Sequence, residues 1–252
     1  MNGLTIPALA LSAGVAGGAM NALAGGGTFA TMPALIAIGL PANVANATSN
    51  IALLPGAATS AHAFRRELTG VGGVPIVTLS AITFVGGLIG ATLLAWTPTR
   101  LFDFIVPWLL LFAMVVLAAG PRAADALRAR ITIRPGVLMT MQGLLGIYGG
   151  YFGGGIGMMT TALYGLLAGA SPRAMFAPRT LMLAVANGAA AIVFILAGLV
   201  AWGAAIPMLI GGIAGGWLGA HIGKRLKPLH IRIWTLLVTA ATTAVFFYRA
   251  YG

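Results

Sequence analysis

"NALAGGGTFA" occupies Asn21–Ala30, and "YGGYFGGGIGMMTT" occupies Tyr148–Thr161. Each sets three consecutive glycines inside an apolar stretch, and the two triplets, Gly25–Gly27 and Gly153–Gly155, lie 128 residues apart. Glycine weakens a helix interior by roughly 1 kcal/mol relative to alanine, so a triplet breaks a helix rather than extends it. The first break separates Ile6–Ala24 from Thr28–Leu40, and the second separates Pro135–Tyr151 from Ile156–Ala168. Second pieces of 13 residues reach only ~20 Å at a helical rise of about 1.5 Å per residue. A hydrocarbon core is ~30 Å thick. These pieces are expected to be half-helices that begin at the glycines.

The surrounding composition supplies the solvent. Of 252 residues, 60% are hydrophobic and only 7% charged, against about 25% charged in an ordinary soluble domain. Apolar runs cover Ile76–Trp96, Leu101–Ala119, Leu181–Trp202, Ala204–Ile222 and Ile233–Phe247, lengths suited to crossing lipid as helices. The 37 glycines are about twice the usual share and suit close packing of membrane helices. There is no cysteine, which excludes disulfides, thiol catalysis and Cys-ligated metal. The first apolar segment lacks a basic leader, so a cleaved signal peptide is not expected.

In such a chain the net charge of +11 reads as a topology signal and not as a nucleic-acid footprint. Spans are expected at 47–64, 76–96, 101–119, 180–198, 204–222 and 233–247. If each glycine-broken region enters and leaves on one side, the loops at 65–70, 120–136, 171–180 and 223–232 share a face. That face collects 12 of the 14 basic residues and leaves Arg100 and Arg249 opposite. The positive-inside rule makes it cytoplasmic.

The landmarks repeat. "GGLIGAT" (Gly86–Thr92) matches "GGWLGAH" (Gly215–His221) at an offset of 129, and "TPTRL" (Thr97–Leu101) matches "KPLHI" (Lys227–Ile231) at 130. Each half holds a broken element (6–40 or 135–168) followed by three spans. Three is odd, so the second half inserts upside down. The expected fold is all-α, a polytopic membrane protein of two inverted repeats, residues 1–119 and 135–252, joined by a cytoplasmic linker at 120–134. Inverted repeats mark secondary transporters, whose site lies near the midplane where the halves meet.

Half-helix N-termini present unpaired N–H groups and a partial positive charge, and glycine lets a ligand approach them. Two opposed breaks therefore predict a small anion held by Gly25, Gly26, Gly27, Thr28, Gly153, Gly154 and Gly155. "NVANATSNIA" (Asn43–Ala52) adds Asn46, Thr48, Ser49 and Asn50. Shifted by 129, Arg179 falls opposite Asn50. It either grips an oxyanion bidentately or serves as a topology charge at the cytoplasmic helix end. Asn21, Tyr148, Tyr151, Thr160, Thr161 and Asn187 are weaker candidates. The only acids are Glu67, Asp103 and Asp125, placed in loops or at span ends, so no membrane carboxylate is expected to carry a proton or sodium. His62 and His221, each near the end of a span, are expected to be structural. No metal-ligand set, cofactor motif or catalytic constellation emerges, and "GGGIGMMTT" lacks the ending of a phosphate-binding P-loop. An enzyme is not expected.

"AGGG" with its half-helix, then "GLPANVANATSN", and later "YFGGGIGMM", resemble the TauE/SafE family of sulfite-exporter-like membrane proteins over nearly the whole chain. The resemblance implies two duplicated modules and movement of sulfite, sulfoacetate and related organosulfur anions across the bacterial cytoplasmic membrane. The family's Ala-x-x-Thr-Ser motif falls on Ala45, Thr48 and Ser49. The second half departs from it, with Ala177-Pro178 where a Thr-Ser pair is expected. Two other functional classes fit the residues: a membrane scaffold that binds a protein partner in an exposed groove, and a carrier of a small cation or neutral solute.

Overall fold

Helices form where apolar residues run uninterrupted and stop at glycine or proline. The computed structural model describes residues 5–128, 134–168, 174–223, 226 and 228–252. In chain order the helices are α1 (Thr5–Ala24), α2 (Thr28–Ala37), α3 (Ala42–Ala63), α4 (Ile76–Trp96), α5 (Thr99–Arg128), α6 (Pro135–Tyr151), α7 (Ile156–Ala168), α8 (Phe176–Leu196), α9 (Trp202–Gly223) and α10 (Pro228–Tyr251). The fold is all-α, and the one β feature among the described residues is an isolated Val71–Val74 bridge. Arg130, Arg173, Lys224, Arg225 and Lys227, used above for topology, lie outside the described residues.

Among the described residues, six helices are long and apolar enough to cross a membrane: α1, α4, α5 (to Ala119), α8, α9 and α10. The set differs in one member from the six expected spans. α1 qualifies by itself, and α3 does not. With 22 residues, α3 is ~33 Å long. Its Asn43–Asn50 stretch lowers its hydropathy, and α3 tolerates this because protein surrounds it: Asn46, Thr48, Ser49 and Asn50 are all buried.

Several boundaries move outward from the apolar runs. α3 starts at Ala42 behind Pro41, α8 at Phe176 and α10 at Pro228. α5 continues past 119 to Arg128, because Pro121–Arg128 is rich in the good helix formers alanine, leucine and arginine. The expected linker is therefore helical over its first part. α2 stops at Ala37, short of the expected Leu40. Gly39, at φ 96°, lets its own N–H reach the Ile36 carbonyl and that of Leu40 reach Leu35, a Schellman closure of the helix end.

The repeated glycine motifs explain the packing. Gly86 and Gly90 of α4 press on the α6 backbone near Gly143–Gly146 and near Ile147–Tyr151 respectively, and Gly150 of α6 presses on Gly87. Gly211, Gly215 and Gly219 of α9 press on Leu11, Val15 and Ala19 of α1. Without side chains between them the backbones approach closely, the mode that holds helices together in lipid. In both pairs residue numbers rise together, so α6 runs parallel to α4 and α1 parallel to α9. α3 and α8 run antiparallel, with Asn50 beside Asn187 and Phe64 beside Phe176. Each broken element thus docks on a helix of the other half of the chain.

Candidate functional site

The two breaks meet. Gly25 (φ 78°) and Gly153 (φ 71°) turn the chain through a region that L side chains rarely adopt. Gly25 lies directly against Gly157, the second residue of α7. Tyr148 ties the second break down by donating its hydroxyl to the Gly154 carbonyl at 2.8 Å. The amides of Gly26, Gly27, Gly154 and Gly155 donate to no backbone carbonyl among the described residues. They are the orphan donors at the starts of α2 and α7, where helix dipoles add partial positive charge. Phe29, fully buried, packs its ring against Gly26, Gly154 and Gly155.

A cavity of about 500 Å³ opens beside this junction, bounded by α1, α3, α8 and α9. Gly25 and Gly157 line it deep in the fold, and Ala63, Phe64, Phe176 and Ala220 line it toward the helix ends. Its polar lining comes from Asn21, Thr59, Ser60, Arg179 and Thr180. Arg179 stands on the first turn of α8, with its guanidinium 4.6 Å from the centre of the Phe176 ring. Phe176 in turn meets Phe64 edge-on at 4.8 Å. No carboxylate or carbonyl pairs with the Arg179 guanidinium among the described residues. An arginine held on an aromatic face keeps its in-plane donors free for an oxyanion.

Asn46, Thr48, Ser49 and Asn50, in the first half of α3, face elsewhere. Thr48 Oγ1 accepts the Ala201 N–H at 3.0 Å, just before α9 begins. The Ser49 and Thr31 hydroxyls bond to one another, joining α3 to α2. Asn46 donates to the Tyr151 carbonyl at 3.1 Å, and Asn50 donates to Asn187 at 3.2 Å. Thr28 is buried at the start of α2. Thr161 bonds back to the Gly157 carbonyl at 2.9 Å, and the Thr160 hydroxyl is buried without a partner among the described residues. Tyr151 reaches Thr97 at 3.3 Å. No group of three His, Asp or Glu side chains able to hold a metal occurs among the described residues.

Of the residues singled out in the sequence, Gly25, Asn21 and Arg179 therefore line one cavity. Asn50 and Asn187 come together in a separate contact, and Thr48 and Ser49 bind neighbouring elements. Gly157, Thr59, Ser60 and Thr180 line the cavity as well and were not anticipated. A signal existed for Thr59 and Ser60, which lie roughly three turns beyond Thr48–Ser49 on the same helix.

The sequence model of the family described as "Sulfite exporter TauE/SafE" matches residues 10–246. Among curated proteins, the chain is similar to "Probable membrane transporter protein YfcA" of Escherichia coli (strain K12), with 28% identity over 242 residues, covering 93% of this chain and 87% of that protein. It is similar to a "Probable membrane transporter protein" of Haemophilus influenzae, with 28% identity over 243 residues and 94% of each chain covered. A third relative, "Probable membrane transporter protein ORF9" of Sinorhizobium sp, is 30% identical over 212 residues, covering 82% of this chain and 78% of its own length. No solved structure matches the chain.

Proposed function

The chain belongs to the TauE/SafE sulfite exporter family of multi-pass bacterial membrane transporters, and from that premise we propose that it carries small sulfur-containing anions outward across the cytoplasmic membrane. Sulfite, sulfoacetate and related organosulfonates are the proposed substrates. The family and the relatives' names speak for a transporter rather than an enzyme.

The observation that carries the anion reading is Arg179. Its guanidinium has no anionic partner among the described residues and lines a cavity that reaches Gly25 and Gly157 at the junction of the two breaks. In this reading the negative headgroup meets Arg179 first. It then passes to the free amides of Gly26, Gly27, Gly154 and Gly155, at breaks shaped by Gly25, Thr28 and Gly153, whose Gly25 and Gly153 amides are taken by the Asn21 and Tyr148 carbonyls, with Phe29 as the barrier beyond. Asn46, Thr48, Ser49 and Asn50 hold α3 against α6, the residue before α9, α2 and α8 respectively, and so fix the helices around the breaks.

Alternating access by rocking of inverted halves is supported by helix direction. α1 runs with α9, and its proposed counterpart α6 runs with α4. The proposed mates α3 and α8 run antiparallel. Inverted repeats place equivalent helices in opposite directions across one site. The repeats are taken as 1–119 and 135–252.

Flux of labelled sulfite and sulfoacetate from proteoliposomes tests the proposal. Protein-dependent, saturable flux that Arg179→Gln reduces is the expected result. Folded protein with neither flux nor binding of either anion overturns it.

A further inference from the structure

One residue of α6 holds both sides of the second break. The Tyr148 carbonyl accepts the Phe152 N–H at 2.9 Å and the Gly153 N–H at 3.5 Å, which closes the helix end. Its hydroxyl reaches past Gly153 and donates to the Gly154 carbonyl at 2.8 Å. The ring meets Phe112 and Phe152 edge-on, with centroids 6.2 and 5.9 Å away. Among the described residues no backbone N–H outside the helices bonds to the Gly154 carbonyl, and the Tyr148 hydroxyl is its partner.

A trans peptide unit points its C=O and its N–H in opposite directions. The Gly154 carbonyl and the Gly155 N–H belong to one such unit. Fixing that carbonyl on Tyr148 therefore fixes the direction of the Gly155 N–H, away from the tyrosine hydroxyl. A lock is needed because glycine stands at both ends of the unit. Neither end carries a side chain that opposes rotation of the plane, and Gly155 already sits at φ 78°. The Gly155 N–H donates to no backbone carbonyl among the described residues, so no backbone bond holds the plane from that side.

The first break orients its amides differently. At an offset of 128, Gly26 corresponds to Gly154, Gly27 to Gly155 and Met20 to Tyr148. The Gly26 carbonyl accepts the Phe29 N–H at 3.1 Å. The first turn of α2 thus orients the Gly26–Gly27 unit, and Met20 needs no polar group. In the second break the Gly154 carbonyl stays out of the first turn of α7, and a side chain takes over.

We propose that Tyr148 is a positioning residue for the transported anion: its hydroxyl locks the Gly154–Gly155 peptide plane and so holds the Gly155 N–H in the direction that receives the anion. The role toward an anion rests on the transport reading above, and the lock itself does not. Without the hydroxyl the plane is free to turn. A turn withdraws one donor and puts an acceptor carbonyl in its direction, and an oxyanion loses a charge-assisted hydrogen bond.

The test compares full-length Tyr148→Phe with wild type, both purified in detergent. Phenylalanine keeps the ring and removes only the hydroxyl. Binding of sulfite and sulfoacetate is one readout. The other is the Gly155 amide resonance, recorded without anion in protein labelled on glycine carbonyl and nitrogen, so that only amides following a glycine are seen. Both anions are expected to bind about tenfold more weakly, with the Gly155 resonance shifted or broadened. Phe112→Leu loses a ring contact of Tyr148 and keeps the hydroxyl bond, so it should lower Tm and leave anion affinity unchanged. Should Tyr148→Phe not fold, fluorotyrosine at position 148 decides. It keeps the ring and strengthens the hydroxyl as a donor, so the Gly155 resonance should move without loss of affinity. Unchanged anion affinity in folded Tyr148→Phe overturns the proposal, as does an unmoved Gly155 resonance in either variant. An equal affinity loss in Phe112→Leu overturns it too, because Tyr148 would then act only through packing. Wild-type protein that binds neither anion overturns the transport reading instead, and the lock then stands or falls on the Gly155 resonance.

Discussion

Gly25 and Gly157 touch backbone to backbone: a Cβ on Gly25 would lie 2.9 Å from the Gly157 Cα, and one on Gly157 would lie 3.1 Å from the Gly25 Cα. The contact joins the C-terminal end of α1 to the first turn of α7, residues 132 positions apart. It fixes how far apart the two half-helix starts can be, and any side chain here widens the gap.

Gly25→Ala is expected to lose transport and to lower stability. Its φ of 78° costs an L residue roughly 1–2 kcal/mol, and the Gly157 backbone blocks the new methyl. Gly26→Leu and Gly154→Leu should insert into the membrane yet abolish flux, because their side chains meet the Phe29 ring. Proteoliposome flux alongside thermal unfolding in detergent checks all three, and wild-type flux in any of them counts against the site.

Arg179→Gln is expected to weaken anion affinity at least about tenfold, the size of a lost charge-assisted contact, with Tm unchanged or raised. Among the described residues the guanidinium has no anion to lose, and its contact is the Phe176 ring. Arg179→Lys should restore only part of the affinity, because an ammonium lacks the planar fork. Competition binding with sulfite and sulfoacetate measures both.

The glycine stripes give a prediction about stability alone. A methyl at Gly90 would strike the Ile147 carbonyl, and one at Gly215 the Val15 carbonyl. Each alanine variant should lose about 1–3 kcal/mol, the usual range for overpacking. Gly188 lies within α8 with nothing near its missing Cβ. There alanine should raise stability by about 0.5–1 kcal/mol. Thermal unfolding of the three variants separates packing glycines from incidental ones.

Thr48→Val removes the acceptor of the Ala201 N–H while keeping the side chain's shape. It should cost about 1 kcal/mol, as loss of a helix-start partner does. Flux should fall far less than in Arg179→Gln. A flux loss as large as that of Arg179→Gln would instead place Thr48 against the substrate.

Much of the fold is legible in the chain because membrane physics is local. A run such as Ile76–Trp96 has one way to satisfy its backbone in lipid, so α4 matches its expected limits. The glycine triplets mark their breaks for the same reason, and α7 begins at Ile156 as expected. α3 was harder to delimit, because its polar half is tolerated only where other helices cover it. The candidate site was half legible: charge and repeat offset pointed to Arg179. The hydroxyls of Thr48 and Ser49 looked equally suited to a ligand but are engaged by Ala201 and Thr31.

What the sequence by itself determined is the solvent, the helices, the two breaks and the family, because composition, apolar run length and glycine triplets act through neighbours along the chain. What only the tertiary structure decided is which partners those elements take. Docking of α1 on α9 and of α6 on α4 sets Gly25 against Gly157 and leaves Arg179 facing a cavity. It also turns Thr48 to Ala201 and Ser49 to Thr31, away from that cavity. Those outcomes depend on which backbone occupies the space beside a missing Cβ, and that is a property of two distant segments at once.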